Sequence, residues 1–274
     1  MAALLALDEA GSGEPLVLLH GIATDRHIWD LVTPRLAADR HVISPDLPGF
    51  GGSAPVGADF ELGQVAERIV RGMAGRGIHG PFDLVGHSLG GGIAIALAAV
   101  HPHLVRRLVL VAPAGMRPFP AAVSNLLAAG ADALLAARRG AVSLTDVWWG
   151  RRLLLALTAA DGAELPPTLA RQMIEASATA RRTAPALAAI TSTDLRPLLE
   201  LTRMPLGVIW GEADRTVPIR ALDDVLAVRP DALVTRIPAA GHVPMVEFPE
   251  EFLAALRPLI EDVTTMSEEP SILQ

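Results

Sequence analysis

The stretch FDLVGHSLGGGIAIALAAV, residues 82–100, decides how this chain is read. Phe82-Asp83-Leu84-Val85 is a short apolar run of the kind that forms a buried strand. Leu89 to Val100 is an apolar helical run, rich in small residues, that stops near Pro102. Between them lies Gly86-His87-Ser88-Leu89-Gly90, a G-x-S-x-G pattern. A serine in a sharp strand-to-helix turn carries its hydroxyl above the sheet, where it can act as a nucleophile. Glycine is needed on either side because a Cβ there would collide with neighbouring backbone. The N–H of Leu89 opens the helix, where unpaired donors and the positive dipole end can hold an oxyanion. Five-residue patterns recur by accident; the strand before this one and the helix after it give it meaning.

Outward from that turn, strand and helix signals alternate. Pro15 to His20 (PLVLLH), His41 to Ser44 and Arg107 to Val111 read as strands. Ile28 to Leu36 and Phe60 to Gly75 have helical spacing. The alternation stops at Met116 and resumes with strands at Pro205 to Trp210 and Ala232 to Ile237, and helices at Ile219 to Val228 and Pro249 to Ile260. This order predicts an α/β fold: a mostly parallel central sheet with helices on both faces. The segment between carries no convincing strand and reads as an inserted set of helices. The expected organisation is a core of residues 1–116 and 204–262, a helical cap of 117–203 over Ser88, and a flexible acidic tail of 263–274.

Composition narrows the chemistry. Of 274 residues 51% are hydrophobic, enough for a large core. The longest apolar helical stretch, Gly91 to Val100, is about half the roughly 20 residues a membrane span requires. Met1 to Leu7 lacks a basic flank and is too short for a secretory leader, so a cytoplasmic location is expected. A net charge of −7 without a basic block argues against nucleic acid. There is no cysteine, so no thiolate site, and no lysine, so no Schiff base. Without H-E-x-x-H or a carboxylate–histidine cluster, neither a metal nor another cofactor is expected, and the partner is a small-molecule substrate.

A second oxyanion donor is expected from His20-Gly21-Ile22, the loop after the strand that ends at Leu19. We assign it to the N–H of Ile22 and read His20 as structural. Gly49, Gly51 and Gly52 follow a strand but lack the lysine and helix start of a phosphate loop, and read as a turn. His101 and His103 flank Pro102 at a helix end and read as surface groups. His87 is expected to point away from Ser88 and to pack.

With these residues in view, the chain resembles the α/β-hydrolase superfamily, in its cap-bearing serine hydrolase branch of esterases, carbon–carbon bond hydrolases and cofactor-free haloperoxidases. The resemblance rests on LVLLHGIATDRHIWD (16–30), VISPDLPGFGGS (42–53), FDLVGHSLGGGIAIALAAVHPHLVRRLVLVAP (82–113), PLGVIWGEADRTVP (205–218) and IPAAGHVPMVEFPEEF (237–252). It implies a base after the last strand and an acid after an earlier one, in the chain order Ser, Asp or Glu, His. His242, the one histidine beyond residue 103, is the base. Asp214 is the preferred acid, with Glu212 its rival; the segment after the preceding strand, Ala112 to Gly115, has no carboxylate. Relatives that open epoxides or remove halide carry Asp where this chain has Ser88, which argues against both activities. The short start leaves room for one strand before Pro15, fewer than larger relatives have. Trp148 and Trp149 are candidate pocket residues, with burial in the cap interior the alternative. The expected reaction is hydrolysis of an ester-like bond. Acyl transfer, perhydrolysis or C–C cleavage at the same site is a second reading, and a non-catalytic ligand-binding homologue a third.

Overall fold

The structure is a computed structural model that describes residues 5–57 and 59–261. In chain order the strands are β1 (Leu7–Ala10), β2 (Glu14–Leu19), β3 (Arg40–Pro45), β4 (Phe82–His87), β5 (Val105–Val111), β6 (Leu206–Gly211) and β7 (Leu233–Ile237). The α-helices are α1 (Thr33–Leu36), α2 (Leu62–Ala74), α3 (Leu89–Val100), α4 (Ala121–Gly140), α5 (Trp148–Leu154), α6 (Pro167–Ala176), α7 (Thr183–Ser192), α8 (Arg196–Leu201), α9 (Leu222–Val228), α10 (Pro244–Glu247) and α11 (Pro249–Ile260).

The strands form one seven-stranded sheet in the order β1-β3-β2-β4-β5-β6-β7. Every neighbouring pair is parallel except β1 with β3. The strand before Pro15 is β1, four residues long and confined to the sheet edge. Alternate side chains of the central strands feed two cores, one on each face. Leu84, Leu108, Leu110 and Val208 pack with α2, α3 and α9. Val85, Val109, Val111 and Ile209 pack with Trp29, Leu36 of α1 and Phe252 and Leu256 of α11. Coverage of both faces explains why these strands read as continuous apolar runs rather than as alternating ones. Truncating such a fully buried leucine to alanine costs about 2–5 kcal/mol.

Two predicted helices are shorter than their apolar spacing suggested. Ile28 to Leu36 resolves into a 3-10 turn, Arg26–Trp29, and the single turn α1, and Ile219 to Val228 into a 3-10 turn and α9. Between β5 and β6 lie only helices and 3-10 turns among the described residues. α4 and α7 pack on each other over the carboxyl end of the sheet, whereas Leu199 of α8 joins the core on the α3 face. The expected tail, 263–274, lies outside the described residues.

The chain reverses direction across the sheet at β2, since β3 lies on one side of it and β4 on the other. In open parallel sheets the crevice beyond the carboxyl ends at such a point is where ligands bind. The loops leaving β2 and β4 there are Gly21-Ile22 and Ser88.

Candidate active site

Ser88 sits between β4 and α3 at φ 53°, ψ −116°, a region that only a heavily constrained non-glycine residue occupies. The constraint comes from both sides. Ser88 N–H donates to Val111 O of β5 at 2.9 Å, and Ser88 O accepts from Gly92 N and Ala114 N. A Cβ on Gly86 would lie 2.5 Å from Gly90 O, and one on Gly90 2.4 Å from His20 O. The two flanking glycines are thus a packing requirement of the turn. Ala23 and Ala112, which follow the ends of β2 and β5, also have positive φ, so strained backbone gathers at this edge of the sheet.

Leu89 is the first residue of α3, and its N–H has no acceptor among the described residues; nor has that of Ile22. Both residues line the same cavity as Ser88. His242 and Asp214 come from the loops after β7 and β6. Asp214 has a fully buried side chain, and its Oδ2 accepts from His242 Nδ1 at 2.7 Å. Its Oδ1 accepts from the N–H groups of Thr216 and Val217 at 2.8 and 2.9 Å, which fixes the carboxylate plane. With Nδ1 so committed, Nε2 is the ring nitrogen left for another partner, and His242 lines the same cavity as Ser88. Ser88 Oγ makes no hydrogen bond among the described residues; nucleophile–base contacts commonly close only as substrate binds. Glu212, the rival acid, is exposed.

Two further groups hold His242. Glu247, in α10, accepts from Gly241 N and Val243 N on either side of the histidine at 3.0 and 3.3 Å, and from Ala160 N of the inserted segment at 2.6 Å. Burial raises its carboxyl above the ordinary glutamate value, against the pull of those three donors. His87 is buried and packs edge-on against Trp29, as expected, and it makes two contacts to the base loop besides. It borders the cavity, its ring lies 4.7 Å from that of His242, and its Nε2–H donates to His242 O at 2.8 Å. Burial, then the neighbouring His242, holds its pKa well below the usual histidine value, so it stays neutral. Sequence reasoning missed Glu247; its only signal was an acid five residues after His242, in a segment punctuated by prolines.

His20 is structural. Its Nδ1–H donates to Gly21 O and its Nε2 accepts from Leu47 N at 2.8 Å, pinning the loop after β3 to the loop after β2. The cavity over Ser88 has a volume of about 1050 Å³ and a mostly apolar wall from α4, α7 and the loops after β2 and β5. Trp148 and Trp149 do not line it. They lie on α5, 60% and 49% exposed, so the pocket role is corrected. Of the inserted helices, chiefly α4 and α7 line the cavity, and sequence alone does not say which inserted helix faces inward.

The alpha/beta hydrolase family model matches residues 16–255, nearly the whole described chain. The chain belongs to that family. This α/β-hydrolase is 32% identical over 259 residues to a pimeloyl-[acyl-carrier protein] methyl ester esterase of Aromatoleum aromaticum, covering 90% of this chain and 97% of the relative. Over a shorter stretch of 114 residues, 40% of each protein, it is 44% identical to a 2-hydroxymuconate semialdehyde hydrolase of a Pseudomonas species. Among solved structures, a bromoperoxidase from Bacillus anthracis superposes with a TM-score of 0.79 at 21% identity, covering 94% of this chain and 95% of that one. An enol-lactonase from Burkholderia xenovorans gives 0.78 at 21%, covering 94% and 96%. At that identity the two structures speak for the fold.

Proposed function

We propose that this α/β-hydrolase cleaves an ester-like bond of a largely apolar small molecule (a carboxylic ester, lactone or thioester) through an acyl-enzyme on Ser88. The observation that carries the proposal is the Asp214–His242 hydrogen bond of 2.7 Å, with His242 and the strained Ser88 lining one cavity. His242 Nε2 takes the Ser88 proton as Oγ attacks the carbonyl carbon. The oxygen of the resulting tetrahedral species gains negative charge and is held by the N–H groups of Leu89 and Ile22. His242 then passes its proton to the leaving oxygen or sulfur as that bond breaks. Water, deprotonated by the same imidazole, attacks the acyl carbon; Ser88 leaves with the proton and the carboxylic acid is released. Asp214 fixes the Nδ1–H tautomer and stabilises the imidazolium in both halves. The inserted helices α4 to α7 act as the cap that shields the acyl-enzyme. Esterase homologues such as that of Aromatoleum aromaticum support this choice of reaction.

Ser88→Ala should lower kcat for short p-nitrophenyl esters by several orders of magnitude with the fold retained; near-normal activity would reject the proposal. A second reading, C–C bond hydrolysis beside a ketone at the same Ser88, draws on the 44% identity to the 2-hydroxymuconate semialdehyde hydrolase. Product analysis separates the two: that reading requires a vinylogous diketone to be cleaved faster than a simple ester of equal size.

A further inference from the structure

The wall of the cavity contributed by α4 consists of Leu126, Leu127, Gly130, Ala131, Leu134 and Leu135, a stripe at helical spacing that runs one turn further to Arg138. From Leu126 to Arg138 the helix rises about 18 Å. The stripe therefore changes, at its far end, from apolar carbon to a guanidinium that also borders the cavity. Arg138 Nε is enclosed and has no hydrogen-bond partner, and no carboxylate bonds or pairs with the side chain among the described residues. Its neighbour Arg139 behaves differently and donates to Ser177 O. The other arginines of the cavity wall, Arg117, Arg215 and Arg220, are exposed, and Arg117 is paired with Asp224.

Arg138 is only partly exposed, and holding its Nε out of water without an acceptor or a counter-charge carries a cost. The C-terminal end of α4 offsets part of that cost through its dipole, but supplies no acceptor to Nε. Burial alone pulls the pKa of Arg138 below the usual arginine value, with no anion to restore it. A ligand carboxylate would supply the missing acceptor, and the planar guanidinium fork accepts one in bidentate fashion. A single cation matches a monoanion, whereas a phosphate dianion would call for a second one.

We infer that Arg138 is an anion subsite, and that the substrate carries a carboxylate joined by an apolar chain to the bond presented to Ser88. The inference rests on the esterase reading for its turnover step, though not for its binding step. The chemical class is the half-ester of a long-chain dicarboxylic acid, with the ester end at Ser88, the methylene chain along α4 and the free carboxylate at Arg138.

The test compares kcat/KM for monomethyl adipate, suberate and sebacate with that for the corresponding dimethyl esters. Wild-type protein should favour the best half-ester over its neutral diester by roughly tenfold or more, the range expected of a charge-assisted hydrogen bond. Arg138→Gln should abolish that ratio, and Arg138→Lys should keep part of it. Calorimetric titration of Ser88→Ala with the same compounds reads binding without turnover: the half-ester should bind and lose its advantage when Arg138→Gln is added. If no ester is turned over yet Arg138-dependent binding of the half-ester persists, the esterase reading falls and the subsite stands. Equal handling of half-ester and diester by wild-type protein, or a ratio unchanged in Arg138→Gln, overturns the subsite.

Discussion

At the scale of single residues, the bonds of each polar atom around His242 set what that residue can do. Asp214 spends one oxygen on His242 and the other on two backbone donors, while Glu212 two residues earlier faces solvent. Asp214→Asn should therefore lower kcat by about 10⁴, the loss seen when the orienting acid of such a triad becomes an amide. Glu212→Gln should change it less than threefold, well within ordinary surface variation. Steady-state kinetics on one p-nitrophenyl ester checks both, and the opposite order would exchange the two roles. His87 is a positioning residue, since it hydrogen-bonds the backbone carbonyl of His242 and packs its ring against the imidazole. His87→Leu would leave that buried carbonyl without its donor, at a cost of about 1–3 kcal/mol. We expect kcat to fall with little change in KM, and His87→Gln to recover part of the loss. Ser88 could be singled out from its turn motif, whereas Asp214 and His242 were expected from the chain order that the resemblance implies; the structure adds that these two are hydrogen-bonded to each other. Glu247 and Arg138 were not legible in the sequence, because their importance lies in what is buried beside them. Nothing in the pair Arg138-Arg139 tells which side chain turns toward a cavity.

At the scale of elements, the strands and the helices packed directly on them were readable, since both sheet faces are covered and the apolar runs are unbroken. Leu89–Val100 and Pro249–Ile260 fall where the pattern placed them, and the strand Phe82–His87 runs two residues further than its apolar run. The inserted helices were readable only as helices. Their length of apolar sequence exceeds what their burial uses: Leu126, Leu134, Trp148, Trp149 and Leu153 are all about half exposed or more. Periodicity therefore could not report which faces point inward, and the tryptophan pair was misplaced for that reason. The α4 wall gives a prediction of its own. Ala131 is 8% exposed and borders the cavity, so Ala131→Phe should shorten the channel beside α4. The kcat/KM for a p-nitrophenyl octanoate should fall roughly tenfold relative to the acetate, the usual worth of a few methylenes in an apolar pocket. Equal effects on both esters would show that the acyl chain does not lie along α4.

For the whole molecule, folding encloses His20 and His87 as neutral groups, and each is held below its ordinary pKa of 6.5, chiefly by burial. Below pH 6.5 the unfolded chain binds protons at these positions that the folded chain refuses. Stability should thus decline as the pH drops beneath 6.5, by up to about 1.4 kcal/mol per pH unit for each histidine, and level off above it. Glu247 acts in the opposite sense, because its raised carboxyl binds protons more readily in the folded state above pH 4.5. Urea unfolding between pH 5 and 8 in wild-type and His87→Gln protein isolates the histidine contribution: the slope below pH 6.5 should be shallower in the variant. The same sheet edge that pins these rings also assembles the site. Residues from the loops after β2, β4, β6 and β7, separated by up to most of the chain, border one cavity there because these strands run parallel and end at the same edge of the sheet. The most direct test of that convergence is a crystal structure of the protein inhibited with an alkyl fluorophosphonate. We expect phosphorus bonded to Ser88 Oγ, the phosphonyl oxygen about 2.7–3.1 Å from the nitrogens of both Leu89 and Ile22, and His242 Nε2 within about 3.2 Å of a phosphonate or serine oxygen. Phosphorus on another residue, or an imidazole at position 242 turned away from the adduct, would contradict the account.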